Sequence, residues 1–192
     1  MTHRSLQIIR DEHLSLAAML RSMRLLVERG LEDDPKGFFD VLRAMLFYIS
    51  EFPERLHHPK ETTLLFPRVV RAAPDTAAAV ARLDRDHAYT EGAVHELMHL
   101  LLAWELLGES RQGAFVRAFM RYVDLYLAHM RLEEQEILPA AERHLSEADW
   151  KTLDAAFEAN RDPLTGQHRP EAAYERLFSR IVRATPAPIG LG

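Results

Sequence analysis

Apolar residues recur in steps of three and four along the first part of the chain and predict a helix from about Ser5 to Glu28. Gly30 is suited to end this helix. His13 is the only polar residue in the apolar seam, and a core histidine bonded to a buried carbonyl explains it as well as a metal ligand does. The apolar positions of the seam are Leu6, Ile9, Leu16, Leu20, Met23 and Val27.

A second helix is predicted between a turn at positions 33–35 and a stop near positions 67–71. Pro53 and Pro59 interrupt its pattern, and each removes a backbone donor, so we expect a kink or restart near His57. Its buried stripe is Phe38, Leu42, Met45, Ile49 and Phe52.

The third helix is predicted from a turn at positions 73–76 to about Leu107, and His87 again replaces an apolar residue in its seam. Glu91 follows one turn later and is placed to share a ligand with His87. Each further step of four rotates about 40° around the helix, so His95 and His99 are expected at the polar surface or behind the ligands.

A fourth helix is predicted from about Arg111 to His144, because Gly108 breaks the chain before it. Glu133 lies one turn after His129, whereas Glu134 lies about 100° further round. The pattern therefore favours Glu133, and Glu134 stays the alternative if the helix is locally unwound. The expected buried face is Phe115, Phe119, Tyr122, Tyr126, His129, Glu133 and Glu136.

One or two further helices are predicted after this set. Ser146 and Asp149 have the spacing of a capping box, and that helix should end near Asn160. A last helix is expected from Pro170, and the tail from about residue 185 is expected to fray. The sequence thus predicts an all-α fold, with four long helices over residues 1–145 and a helical extension over 146–192 packed on them.

Composition narrows the classes of function. A chain of 192 residues suits one domain, and a net charge of -5 argues against a nucleic-acid partner. The absence of cysteine excludes disulfides and thiolate metal sites. No apolar run is long enough to span a bilayer, and the N-terminus lacks the apolar core of a signal peptide, so a cytoplasmic location is expected.

The candidate chemistry is that of a metal centre. His57 and Glu61 lie one turn apart on one side of a helix, and each of the other three long helices carries a histidine within its apolar seam. Burying an unpaired imidazole or carboxylate costs several kcal/mol. Burying such donors on four helices is therefore tolerable only if something, such as a metal, binds them. Imidazole and carboxylate without thiolate suit iron, with manganese or zinc as substitutes.

Several segments together resemble the hemerythrin-type HHE cation-binding domain. These are Asp11-Glu12-His13, His57-His58-Pro59-Lys60-Glu61, Asp86-His87, and His129 with Glu133 and Glu134. The resemblance covers about residues 5–144. It implies an antiparallel up-down four-helix bundle around a di-iron centre that binds dioxygen or a related small molecule such as nitric oxide or peroxide.

The resemblance also implies a ligand set, in which Glu61 and Glu133 bridge the two metals. His58 is ranked behind His57, because its spacing to Glu61 is not one helical turn. Oxygen-carrying members have histidine where this chain has Glu91, so a ligating Glu91 would favour Fe(III) and oppose reversible oxygen carriage. Tyr126, one turn before His129, is a candidate for the ligand pocket, and plain core packing of an aromatic residue is the alternative explanation. The implied ligands are His13, His57, Glu61, His87, Glu91, His129 and Glu133.

Two alternatives remain open. Glu54-x-x-His57 and Glu96-x-x-His99 have the spacing of a ferritin-like diiron oxidase, but they leave three seam histidines unexplained. A mononuclear or degenerate metal-binding helical interaction domain is the other. No nucleophile or acid–base pair is recognisable outside the candidate ligands, so an enzymatic role is undecided. The extra helices suit either cover for one side of the bundle or a homodimer contact.

Overall fold

The computed structural model describes residues 3–31, 34–160, 162–165 and 174–190, and this part of the chain contains helices and no strand. The all-α prediction is therefore confirmed. The helices are α1 (Arg4–Arg29), α2 (Pro35–Ile49), α3 (His58–Lys60), α4 (Phe66–Ala72), α5 (Ala77–Leu107), α6 (Gln112–Leu132), α7 (Leu138–His144), α8 (Glu147–Phe157) and α9 (Glu175–Ala184).

Three wider, π-helical turns join some of these helices into longer rods. Ser50–His57 and Glu61–Leu65 lie on either side of α3, and Glu133–Ile137 joins α6 to α7. We call the four rods long helices: the first is α1, the second runs from α2 through α4, the third is α5, and the fourth runs from α6 through α7. The third packs against the fourth and the second, and the first packs against the second and the fourth.

The helix ends follow the chemistry that the sequence indicates. Gly30 and Gly108 end α1 and α5 with φ of 76° and 83°, a left-handed conformation that favours glycine. Asp34 caps α2 by accepting the backbone N–H of Gly37 at 2.9 Å. Ser146 and Asp149 form the expected capping box at the start of α8.

Two apolar clusters lie above and below one layer of buried polar residues. The larger surrounds Trp104, Phe115 and Phe119, and the smaller includes Leu6 and Phe66. In each long helix, candidate ligands fall between residues of one cluster and residues of the other, namely His13, His57, Glu61, His87 and Glu133. The packing therefore brings the polar residues of all four long helices to one level.

The C-terminal helices pack on the long helices of the same chain. α8 lies against α1 and buries Trp150, Leu153 and Phe157 in the smaller cluster, while α9 lies against α2. The sequence led us to expect fraying from about residue 185, but residues 185 and 189 contact the rest of the chain. Thr185 is fully buried, and the Ile189 N–H donates to the Ser22 hydroxyl at 3.1 Å.

Some residues named in the sequence analysis lie in parts of the chain that the structure does not describe. Asp33, the start of the last helix at Pro170 and Gly192 all lie outside the described residues. Among the helices that are described, none combines the length and the apolar character needed to cross a membrane.

Candidate metal centre

The second long helix carries its site residues on a locally widened backbone. The kink expected near His57 takes the form of the two π-helical turns on either side of α3. Pro53 and Pro59 supply no backbone N–H there, and π-helical turns accommodate such interruptions and are frequent at functional sites. The changed turn buries His57 and His58 together, each 5% exposed. Helical spacing had favoured His57 alone.

Two groups of four buried donors meet inside the four long helices. The donor atoms within each group all lie within 4.8 Å of one another. Glu61 belongs to both groups. The first group is His13, His57, Glu61 and Glu133, and the second is His58, Glu61, His87 and His129.

The carboxylate of Glu61 faces both groups with different oxygens. Oε1 lies 2.7 Å from His57 Nε2, and Oε2 lies 3.4 Å from His87 Nε2. Glu61 is completely buried. A carboxylate in this position has the geometry needed to bridge two cations.

Glu133 and Glu134 occupy different positions around His13. Glu133 is completely buried, and its Oε2 lies 3.5 Å from His13 Nε2 and 3.9 Å from His129 Nε2. Glu134 is largely exposed, and its Oε1 lies 3.0 Å from His13 Nδ1, the ring nitrogen that faces away from the donor group. The π-helical turn Glu133–Ile137 thus places Glu133 among the donors and Glu134 behind them.

The five clustered histidines turn Nε2 toward the donors and Nδ1 toward a supporting side chain. His57 Nδ1 lies 2.6 Å from Glu12, and His58 Nδ1 lies 3.0 Å from Glu54. His87 Nδ1 lies 2.9 Å from the Thr62 hydroxyl, whereas His129 Nδ1 is 3.7 Å from Asp86, beyond hydrogen-bond distance, and has no hydrogen-bond partner among the described residues. Such partners fix the tautomer and orientation of histidines that bind metals.

Sequence reasoning did not identify several of these supporting residues. The sequence pattern singles out Glu54 only as part of a ferritin-like spacing and Asn160 only as a helix end, and it does not single out Thr62. Asn160 follows α8 and donates to Glu12 at 2.9 Å, and the Lys60 ammonium donates to Asn160. No helical spacing signals that contact, because 148 positions separate Asn160 from Glu12.

Burial, hydrogen bonds and neighbouring charges raise the pKa of some groups at the centre and lower the pKa of others. Burial raises the pKa of Glu133 to about 7. Burial alone would lower the pKa of His13, but its hydrogen bonds to Glu133 and Glu134 raise it to about 9. Burial and the neighbouring His87 lower the pKa of His129 to about 3. Burial also raises the pKa of Glu54 to about 7.

Buried polar atoms without hydrogen-bond partners test whether these residues suit a metal. Within the described part of the chain, both oxygens of Glu61, both oxygens of Glu133 and His57 Nε2 are such atoms. His57 Nε2 is close to Glu61, but the two are not in hydrogen-bonding geometry. Unsatisfied buried acceptors are rare in proteins, and a cation in each donor group would satisfy these.

The remaining predicted residues lie elsewhere. Glu91 is exposed and belongs to neither donor group, so the expectation that it shares a metal with His87 is not met. The α5 backbone directs it outward, and His58 from the second long helix occupies the space beside His87 instead. His95, Glu96 and His99 are also exposed, which removes one of the two ferritin-like spacings from the interior. Tyr126 is buried, with its hydroxyl 2.8 Å from His58 Nε2.

The fold and the donor groups define a helical protein with a buried site of imidazoles and carboxylates suited to cations. The family model of the hemerythrin HHE cation binding domain matches residues 4–141. The chain belongs to this family, and the resemblance drawn from its motifs is confirmed.

A relative from Haemophilus influenzae, described as an uncharacterized protein, is similar over 97 residues at 33% identity. The match covers 50% of this chain and 53% of that protein, so the chain spans about half the length of this curated relative.

Proposed function

We propose that this protein holds two iron ions in its two donor groups and binds a small molecule such as dioxygen or nitric oxide there, in a sensing, storage or redox role. The observation that carries the proposal is the pair of four-donor groups that share Glu61. Imidazole and carboxylate donors without thiolate suit iron, and zinc or manganese fit the same donors. Bound iron would supply reversible redox chemistry and open positions for a small ligand.

The proposed ligands are five histidines and two glutamates. His58 supplies an imidazole beside His87, where the family resemblance led us to expect Glu91. The second group therefore contains three imidazoles and one carboxylate. With Glu91 outside the proposed set, no carboxylate at that position lowers the reduction potential, and the donors are compatible with oxygen carriage. The proposed set is His13, His57, His58, Glu61, His87, His129 and Glu133.

A cavity beside the donor groups is suited to a small ligand. Its volume is about 10 Å³, enough for roughly one water-sized molecule. Leu16, Phe52, Leu56 and Met130 give it an apolar wall that disfavours bulk water, and Tyr126 adds a hydroxyl. Burial raises the pKa of Tyr126 well above its usual value, so the hydroxyl keeps its proton. The hydroxyl lies 2.8 Å from His58 Nε2, and a cation bound to that nitrogen would leave the hydroxyl to donate to a bound molecule.

The same proposal includes the antiparallel up-down order of the four long helices. Their connections are short: Gly30 to Asp34, Ala73 to Thr76, and Gly108 to Arg111. Short connections favour antiparallel neighbours in helical bundles.

Metal analysis and visible spectroscopy of the purified protein test the proposal. We expect about two irons per chain and a coloured oxidised form, which bleaches on anaerobic reduction and responds to titration with oxygen and nitric oxide. Colourless protein without iron, after aerobic expression with added iron, would contradict it. About one iron per chain would support a mononuclear site, and continued oxidation of added Fe(II) beyond two per chain would support a ferritin-like oxidase.

A further inference from the structure

A cleft on the surface leads to the second donor group, and Tyr126 is not among the residues that line it. It has a volume of about 330 Å³ and lies between the second long helix and α5. His58 and His87, which are 5% and 8% exposed, line its inner part. Asp84 and Glu91 line it as exposed residues. The cleft therefore connects solvent to two members of the buried donor group.

The charges along the cleft favour a cation. Asp84, Glu91 and the buried Glu54 are carboxylic acids, and no lysine or arginine is among the lining residues. Clefts lined by one sign of charge raise the local concentration of the opposite ion and its rate of association. Thr62 links the outer and inner parts, because its hydroxyl lies 3.1 Å from Asp84 Oδ1 and 2.9 Å from His87 Nδ1.

The small cavity beside Tyr126 is a poor path for the same ion. Glu12, Asp162 and four of the clustered histidines line the cavity together with apolar residues, but its volume of about 10 Å³ holds roughly one water-sized molecule and is too small for a hydrated cation. Unlike this cavity, the cleft offers exposed carboxylates that can replace water around the ion as it enters.

We propose that this cleft is the route by which metal ions enter and leave the centre, and that Glu91 and Asp84 capture the ion at its outer end. The inference rests on the proposed metal-binding function and adds a route to it. It also gives Glu91 a role outside the ligand set. Because Glu91 does not hold the ion in its final position, it should affect the rates of uptake and release but not the amount bound.

The test compares full-length wild-type protein with the Glu91→Gln, Asp84→Asn and doubly substituted variants. Release of reduced iron from the loaded protein to a chelator, and anaerobic Fe(II) reloading of the stripped protein, are followed by absorbance. We expect the double variant to slow both processes about threefold to tenfold at low ionic strength, with a weaker salt dependence of uptake. The iron content at equilibrium should stay at the wild-type value in Glu91→Gln, the variant that leaves the contacts of Thr62 with Asp84 and His87 unchanged.

Two further variants distinguish the effect of charge in the cleft and the effect of its width from the effect of removing any exposed carboxylate. Glu96→Gln removes an exposed carboxylate from the same helix outside the cleft and should leave both rates unchanged. Ala88→Leu narrows the cleft without changing its charge and should slow both rates while keeping the salt dependence. Unchanged rates in the double variant and in Ala88→Leu, with normal iron content, would overturn the access route alone. A wild-type protein that binds no iron would overturn the proposed function together with the route.

Discussion

The imidazole of His58 stacks on the imidazole of His87, with ring centroids 3.9 Å apart and ring planes at 14°. His58 comes from the second long helix and His87 from the third. The sequence pattern favours a partner for His87 on its own helix, at Glu91. The structure supplies the neighbouring imidazole from another helix, which changes the donor set and the variants that test it.

Replacing His58 should remove one metal ion. We expect His58→Ala to lower the iron content from about two ions per chain to about one, because the second donor group loses one of its four donors. Glu91→His should leave both the iron content and the reduction potential unchanged, since position 91 is outside both groups. Elemental analysis and a redox titration check both outcomes, and full iron content in His58→Ala would remove His58 from the ligand set.

Replacing the shared carboxylate should have a wider effect than replacing Glu133. Glu61→Ala removes a donor from both groups, so we expect it to weaken binding of both ions. Glu133→Ala removes a donor from the first group only, so it should weaken the binding of one ion more than the binding of the other. Stepwise titration of the stripped protein with Fe(II) distinguishes the two patterns. Equal loss of both ions in the two variants would show that Glu133 also serves the second group.

Asn160 should support the centre from the C-terminal extension. It orients Glu12, which in turn lies against Nδ1 of His57. Loss of a side chain bonded directly to a metal-binding histidine typically weakens metal binding by about tenfold or more. Asn160 acts one contact further out, through Glu12, so we expect Asn160→Ala to lower metal affinity by less than about tenfold. Competition with a chelator measures it. Lys151→Ala, an exposed substitution on α8, is the matched control and should bind metal normally.

The packing of α8 on α1 should contribute directly to stability. Leu153 is completely buried, so Leu153→Ala is expected to lower the free energy of unfolding by roughly 2–5 kcal/mol. Thr152→Ala, at the neighbouring exposed position, should change it by less than about 0.5 kcal/mol. Urea unfolding of the metal-loaded variants measures both. Similar stability of the two variants would mean that α8 does not pack as described.

Asp162 should make stability depend on pH. Burial raises its pKa to about 6, above the usual 3.8, although the Tyr48 hydroxyl donates to it at 2.6 Å. The folded state therefore holds this proton more tightly than the unfolded state, and the associated stability is lost as pH rises through about 6. Between pH 5 and 7.5 the wild type should lose about 1 kcal/mol relative to Asp162→Asn.

Paired unfolding curves at the two pH values check this difference. Because both proteins are measured with metal bound, the pH dependence common to the metal centre cancels in the comparison. A constant stability difference between wild type and Asp162→Asn across this range would show that Asp162 does not titrate there.

The sequence by itself determined the helices, their ends and the identity of most buried donors. Apolar spacing places His13, His87 and His129 in seams that face the interior, and spacing of this kind is a local property of one helix. Gly30, Gly108 and the capping box at Ser146 also act within a few residues. These features needed no knowledge of how the helices pack.

Only the tertiary structure decided which donors meet and what supports them. The π-helical turns around Pro53 and Pro59 bring His58 inward, whereas regular helical spacing had placed it outside. The contact of Asn160 with Glu12 joins residues 148 positions apart. Spacing within one helix fixes a direction relative to that helix alone, so the choice between His58 and Glu91 depended on the packing of one helix against another.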